Sequence, residues 1–480
     1  MKRKLLTVLL VLSMVLGLCA CGSDKKEAPK EDTAKEEKES EEEAEPEKPA
    51  HEAGDIVGQW KCTSMTTDDL GTLTSEDCKE LLGYDMLATI SFTGWETGNC
   101  AFSVIEEDEE GEERTAELAM LWTEENDSYT LTLENPEVTE SYSGAAAAFD
   151  GEILILTLKS AAGEGDEAYQ FEYAGEPKVS IYNFAPEFTE EDVRKMSAFS
   201  SGGYAIVADD MAYGYEAHGK LACAKISKDG SDVVLDDVQA LLDGEICNPA
   251  NFQYEEGYVY ATVNGEKNLG IVKINVKNNK TEFLYDKAVE YQQVYDGKLY
   301  FTDENHHYCS MDLDGKNITP IIDDREVYYP YQVGDGWIVF QDDADGETLH
   351  VYHVGEKIEK KITEVRSYNP VICGEYLYFD TTEDFEQYHL GRVNLRTWET
   401  EMSEYVNNGA KFIDGDYLFM ESTYYTLDEW NQNLDKDLNS CEYRYYYSDG
   451  NYRFYNTSFE CWFSPGENFG GYSAQLWLDE

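Results

Sequence analysis

From about Phe199 to the C-terminus, short runs of apolar residues alternating with polar ones return at a regular interval, each entered through a glycine turn. The clearest copies are Glu256-Gly257-Tyr258-Val259-Tyr260, Asp296-Gly297-Lys298-Leu299-Tyr300 and Asp335-Gly336-Trp337-Ile338-Val339. Gly374-Glu375-Tyr376-Leu377-Tyr378 and Asp414-Gly415-Asp416-Tyr417-Leu418 continue the series, and Gly203-Tyr204-Ala205-Ile206 is a weaker first copy. The glycines at 257, 297, 336, 374 and 415 are 40, 39, 38 and 41 residues apart. A second turn marker follows within each unit: Asp229-Gly230, Asn278-Asn279, Asp314-Gly315, Val354-Gly355, Leu395-Arg396 and Asp449-Gly450. A period near 40 with two turns per unit predicts the four-stranded blades of a β-propeller, six of them, over roughly 199–246, 251–289, 291–328, 330–367, 369–407 and 409–480. The 54-residue gap from Gly203 to Gly257 is assigned to a helix-like insert at Asp236–Asp243.

A different pattern occupies residues 54–177. Runs with period 2 begin at Gly58-Gln59-Trp60 and continue at Leu87–Phe92, Ala101–Ile105, Ala116–Trp122, Tyr129–Leu133, Ile153–Leu158 and Tyr169–Tyr173. One early helix is expected at 74–83, capped by Thr74 or Ser75 and ended by Gly83. About eight short strands suit a small up-and-down barrel closed on itself. Between the two regions, Lys178–Tyr182 reads as a strand that closes the propeller, and Phe188–Met196 as a short helix with Thr189 as N-cap.

The start of the chain changes the picture from fold to location. Basic Met1–Lys4, an apolar core at Leu5–Leu12 and small residues before Cys21 form a leader over residues 1–20, too short for a spanning helix that stays in place. Residues 22–53 contain no Val, Leu, Ile, Met, Phe, Tyr or Trp, so with Cys21 they read as a lipidated cysteine and a disordered acidic tether. The formal charge of −61 argues against nucleic acid and against lying flat on anionic lipid. Of the 11 cysteines, nine remain besides Cys19 and Cys21, an odd number without a Cys-x-x-Cys pair, which indicates neither a zinc site nor a complete disulfide framework. Cys441 with Cys461 is the pairing considered.

Catalytic signatures are sparse. No Gly-x-Ser-x-Gly or His-Glu-x-x-His occurs, and His306-His307 reads as a solvated loop. Asp343-Ala344-Asp345-Gly346 resembles part of a calcium loop, so Asp343 and Asp345 are the candidate metal ligands, for a weak Ca²⁺ site; no other cofactor is expected. Tyr295, Tyr329, Tyr331, Tyr368 and Trp398 are the candidate ligand-binding residues, open to two readings: packing between blades, or stacking on sugar rings.

Three resemblances accompany these readings. Leu18-Cys19-Ala20-Cys21 resembles a bacterial lipobox, which implies lipidation of Cys21 and a place on the extracellular face of the cytoplasmic membrane. Gly58-Gln59-Trp60 and the layout after it resemble the lipocalin-like domains of bacterial surface lipoproteins, whose barrel mouth can take an apolar ligand; the alternative is that Trp60 plugs a barrel filled by side chains. The stretch Leu299–Thr319 is similar to YWTD-like and TolB-like propeller repeats, and to a domain family of unknown function in secreted Firmicutes lipoproteins. Together they imply an all-β, membrane-anchored binding module for an extracellular protein, peptide or glycan, without nucleic acid. The alternative is a carbohydrate-active enzyme working in the propeller funnel.

Overall fold

The structure is a computed structural model. It describes residues 55–475 except 69–70, 75–76, 78–86, 94–96, 106–112, 126–127, 134–141, 164, 177–178, 217, 230–231, 386, 408–410, 421–422, 432–443, 450–451, 458–459 and 466–473. The leader, Cys21 and the tether lie outside it, as do most of the helix expected at 74–83 and Cys441. Thr74, where that helix should start, does exchange capping hydrogen bonds with Asp77: the Asp77 carboxylate accepts from Thr74 N at 2.9 Å and from Thr74 Oγ1 at 2.7 Å. The chain divides into two compact units, 1–185 and 186–480.

The first unit is a single sheet of nine strands. They are β1 (Gly58–Thr67), β2 (Gly71–Thr74), β3 (Leu87–Phe92), β4 (Thr97–Ile105), β5 (Glu113–Glu125), β6 (Ser128–Leu133), β7 (Tyr142–Asp150), β8 (Ile153–Ser160) and β9 (Glu167–Gly175). β1 is long enough to pair with β3 through its first half and with β9 along almost its whole length, so the sheet closes on itself and leaves no long free edge. Inward residues form one apolar cluster that includes Trp60, Ile90, Phe92, Met120, Leu131, Leu154 and Phe171. Trp60 is fully buried, donates from Nε1 to Ile56 O at 2.8 Å, and meets the rings of Phe149 and Tyr173 edge-on or tilted. Gly58 makes this possible: its φ is +144°, and a Cβ there would stand 2.4 Å from the Tyr173 ring. The alanine-rich β7 is absent from the sequence reading because alanine carries little strand signal, but Ala145 and Ala147 are buried between β6 and β8.

Residues 179–184 do not form the expected strand. Ile181–Asn183 is a 3₁₀ turn whose Ser180 and Asn183 side chains bond each other, and Thr97 Oγ1 donates to Tyr182 O at 2.8 Å, so this stretch joins the first unit.

The second unit opens with α1 (Glu190–Ser200), capped by Thr189 as the sequence predicts; the Thr189 side chain accepts from Asp192 N, and the Asp192 carboxylate accepts from Thr189 N. Seven small antiparallel sheets follow. The first five are β10–β13 (Ala205–Ala208, Met211–Glu216, Lys220–Asp229, Asp232–Ala240), β14–β17 (Ala250–Glu255, Tyr258–Asn264, Leu269–Asn275, Lys280–Tyr285), β18–β21 (Glu290–Tyr295, Lys298–Thr302, Tyr308–Asp312, Thr319–Ile322), β22–β25 (Val327–Gly334, Trp337–Asp342, Thr348–His353, Ile358–Lys361) and β26–β29 (Tyr368–Cys373, Tyr376–Thr382, Tyr388–Asn394, Thr400–Asn407). The last two are β30–β32 (Phe412–Asp414, Tyr417–Met420, Thr423–Thr426) and β33–β36 (Arg444–Ser448, Tyr452–Thr457, Glu460–Pro465, Ala474–Gln475). The first strand of each sheet neighbours the first strand of another: β10 with β14, β14 with β18, β18 with β22, and β33 with both β30 and β10. Apolar clusters fill the spaces between sheets, as Val371, Tyr378, Ile413 and Leu418 do between the fifth and sixth. This is the arrangement of a β-propeller.

Among the described residues seven sheets stand where the sequence predicts six blades. The glycine units at 257, 297 and 336 are two-residue hairpin turns in which both central residues have positive φ, as type I′ turns require. In the first sheet that role falls to Asp209-Asp210 (φ 48° and 62°), which lacks the glycine signal, and Gly203 precedes the strand instead. At the other end, Asp449-Gly450 lies between β33 and β34, the place of a first marker; residues 409–480 therefore hold two sheets. Asp236–Asp243 is not a helix either. Asp232–Ala240 pairs with β12, with a bulge at Asp237 (φ 53°), and the edge of that sheet overrides local helix propensity.

Candidate functional site

Four of the inner strands, β14, β18, β22 and β26, carry the same irregularity. In each the register slips by one residue near the start, and the extra residue has positive φ: Asn251 (53°), Tyr291 (52°), Tyr329 (48°) and Asn369 (51°). Gly203 (53°) holds the equivalent place before β10. For a tyrosine this conformation is costly and persists only where packing imposes it. Here Tyr291 and Tyr329 lie 4.8 Å apart, and Tyr329 is edge-on to Tyr368 at 6.4 Å. Tyr368 in turn donates to Glu347 and neighbours the exposed Phe385, while Tyr328 stacks on His306 at 5.0 Å. These residues make an aromatic rim where the inner strands begin.

Inside the ring, below that rim, Lys411 and Asp380 are both fully buried with 3.2 Å between Nζ and Oδ2, and Asn369 Nδ2 donates to the same Oδ2 at 3.0 Å. Burial lowers the Lys411 pKa although Asp380 opposes the shift.

The opposite mouth, where the inner strands end, is shaped by α1. Ser197 Oγ donates to Ile413 O and accepts from Ile413 N, Ser200 Oγ donates to Pro370 O at 2.6 Å, and Ser201 Oγ donates to Lys411 O. Those bonds seat the helix against β26 and β30, and its other face looks across a cleft of about 570 Å³ at the ends of β14, β18 and β22. Phe199 closes the floor, with its ring 5.2 Å from Tyr331 and 6.1 Å from Tyr291. Tyr295, Tyr254 and Phe188 form apolar walls, and Gln253, Gln293 and Gln332 supply amides. The glutamines also join neighbouring strands: Gln253 accepts from Val294 N, and Gln293 accepts from Gln332 N at 2.7 Å and donates to Gln332 O at 3.2 Å.

The cleft is acidic. Glu187, Glu191, Asp192, Glu255 and Asp449 line it against Arg194 and Lys195. Both cations are engaged, Arg194 with Glu190 and Asp414 at 3.5 Å and Lys195 with Glu191 at 2.6 Å. The Tyr295 hydroxyl shows the resulting field: burial first, then Asp335, Asp296 and Asp192, hold its pKa above the usual tyrosine value. Such a surface disfavours anions and admits neutral hydrogen-bonding or cationic groups.

Of the five aromatic candidates, Tyr295 and Tyr331 meet in the cleft, and Tyr329 and Tyr368 belong to the rim. Trp398 stands apart in the turn between β28 and β29, with Lys360 Nζ 5.1 Å from its ring. The candidate calcium ligands are separated in role. Asp345 binds Lys361 and His350 at 3.1 Å, whereas burial and then Glu347 and Glu326 raise the carboxyl pKa of Asp343. Phe199, Arg194 and the glutamines are not among the site residues the sequence singles out, although Gln253 and Gln293 recur at the repeat interval. Among the described residues Cys223, Cys247, Cys309 and Cys373 are free thiols, and no helix is long and apolar enough to cross a membrane.

Comparison with known proteins returns no matching family model and no curated relative. Solved structures similar in part include a putative TolB from Agrobacterium tumefaciens, 13% identical with a TM-score of 0.30, over 41% of this chain and 80% of that one. TolB from Acinetobacter baumannii is 9% identical with a TM-score of 0.32, over 70% and 82%. The nidogen/laminin complex gives 11% and 0.32, over 52% and 88%. At these scores the likenesses carry no argument about function, and the fold rests on the strand pairing above.

Proposed function

We propose that this chain is a membrane-anchored extracellular lipoprotein acting as a non-catalytic binding module, with its ligand held in the cleft beside α1. Lipid on Cys21 anchors it, the acidic tether gives it reach, a lipocalin-like barrel filled by side chains acts as a spacer, and the propeller binds. The observation that carries the reading is the cleft itself, a concave site with aromatic walls, convergent amides and an acidic field. Its chemistry suits a protein segment, a peptide or a glycan with neutral or cationic groups. The test is a screen of the chain from Asp55 onward against cell-wall glycans and basic and acidic peptides, beside the Tyr295→Ala variant. A ligand bound by the native chain and lost from the variant supports the reading; exclusive binding of acidic ligands contradicts it. Lipidation is tested separately, by release of the Cys21→Ala protein from membranes.

One observation favours a second reading, a carbohydrate-active enzyme. Asp343, its carboxyl pKa raised, shares the aromatic rim with Tyr328, Tyr368 and Glu347, as an acid with a neighbouring carboxylate would. Release of reducing ends from wall polysaccharide, abolished in Asp343→Asn, is the result that would establish it.

A further inference from the structure

The sheet β22–β25 holds a cluster that neither the cleft nor the rim uses. Strand register assembles it. His350 lies opposite Phe340 on one side and Lys361 on the other, so Asp342, two residues beyond Phe340, and Glu359, two before Lys361, share its face. One ligand atom from each of Asp342, His350 and Glu359 lies within 4.8 Å of the other two. His350 is 5% exposed. Its Nε2 is 3.1 Å from Asp345 Oδ2, and its Nδ1 is 2.7 Å from Glu359 Oε1 but off hydrogen-bonding geometry, leaving that nitrogen without a hydrogen bond. A neutral imidazole has one N–H. Nε2 also lies 3.1 Å from Thr348 Oγ1. In the tautomer whose N–H points to Asp345, the Nδ1 lone pair faces the Glu359 carboxylate, a contact that a cation makes favourable.

The charges agree. Five carboxylates, Asp342, Asp345 and Glu359 with the more exposed Asp324 and Glu364, face two permanent cations, Arg325 and Lys361. Arg325 Nη1 lies 3.0 Å from Asp342 and 2.7 Å from Glu359, so the guanidinium leans on the same oxygens that the imidazole lone pair approaches.

We propose that Asp342, His350 and Glu359 bind a divalent transition-metal ion of the zinc class. Asp345 fixes the imidazole tautomer from the outer shell, and Arg325 is the competing cation that the ion displaces. Imidazole nitrogen with two carboxylates suits zinc, cobalt or nickel, whereas calcium takes six or more oxygens. Bonds of about 2.0–2.2 Å place tetrahedral ligand atoms about 3.4 Å apart, which small side-chain rotations from this arrangement reach. The Asp345–His350 contact is the carboxylate–histidine pairing that orients metal ligands. Glu359 and Arg325 are about one quarter exposed, which gives the ion a path in.

The test is calorimetric titration of the full chain, freed of metal by chelator, with Zn²⁺, and visible absorption with Co²⁺. The expected result is one ion per chain with no thiolate-to-cobalt band. Glu359→Gln and Asp342→Asn should each weaken binding by more than tenfold, and Asp345→Asn by roughly tenfold. Arg325→Met should tighten it by removing the competitor. Because His350→Ala can disturb a buried site, these four variants decide the outcome. Failure of the native chain to bind one ion overturns the proposal. So does equal affinity in Glu359→Gln and Asp342→Asn, a thiolate band, or weaker binding in Arg325→Met.

Discussion

In the first unit, β1 pairs with β3 and with β9, and main-chain hydrogen bonds run round the whole sheet. In the second unit no ladder crosses from one sheet to the next among the described strands. Neighbours are joined by apolar clusters, by the amides of Gln253 and Gln293, by the serines of α1 and by isolated main-chain bonds such as Val327 N to His306 O at 2.9 Å. The consequence is chemical. Closure by main chain leaves an interior that side chains fill, with Trp60 and Phe171 at its centre. Closure by side chains around an axis leaves polar groups inside and a mouth that a helix only partly covers.

The largest expected effect breaks the ring from within. Lys411→Met leaves the Asp380 carboxylate buried without its cation, and should cost up to about 5 kcal/mol in chemical denaturation. Adding Asp380→Leu should restore most of the loss, since the pair is replaced by apolar packing. Trp60→Ala does the corresponding damage to the barrel, about 4 kcal/mol by lost burial and cavity. It should lower the barrel's transition and leave the ring's midpoint unchanged, as two separate units require. Gln293→Leu sharpens the contrast. Removing the acceptor of Gln332 N and the donor to its carbonyl should cost about 2 kcal/mol and speed amide exchange at Gln332. The smallest change is Thr189→Ala, about 1 kcal/mol from the lost cap, visible as faster exchange in the first turn of α1.

What is legible in the sequence follows the same division. Turns with a local chemical signature are readable: Glu256-Gly257, Asp296-Gly297 and Asp335-Gly336 are hairpins, and Thr189 caps its helix. Where the same geometry arises without the signature, it escapes. Asp209-Asp210 makes a positive-φ turn without glycine, which displaces the first unit. Asp449-Gly450 resembles a second turn and is a first one, which hides the seventh sheet. Of the cleft, Tyr295 and Tyr331 are legible because aromatic residues stand out. Phe199 is not, because only the seating of α1 against β26 and β30 turns it towards Tyr331. The zinc-class cluster shows in the sequence only through the neighbouring Asp345, since Asp342, His350 and Glu359 themselves come from three strands, β23, β24 and β25.

The central claim is that ligand meets this molecule at the mouth closed by α1. Hydrogen exchange of the whole chain, with and without the best ligand from the glycan and peptide screen, tests it most directly. The account predicts protection in α1 and at the ends of β14, β18 and β22, with the barrel strands unchanged. Protection confined to β1–β9, or to the rim around Tyr328 and Tyr368, contradicts it.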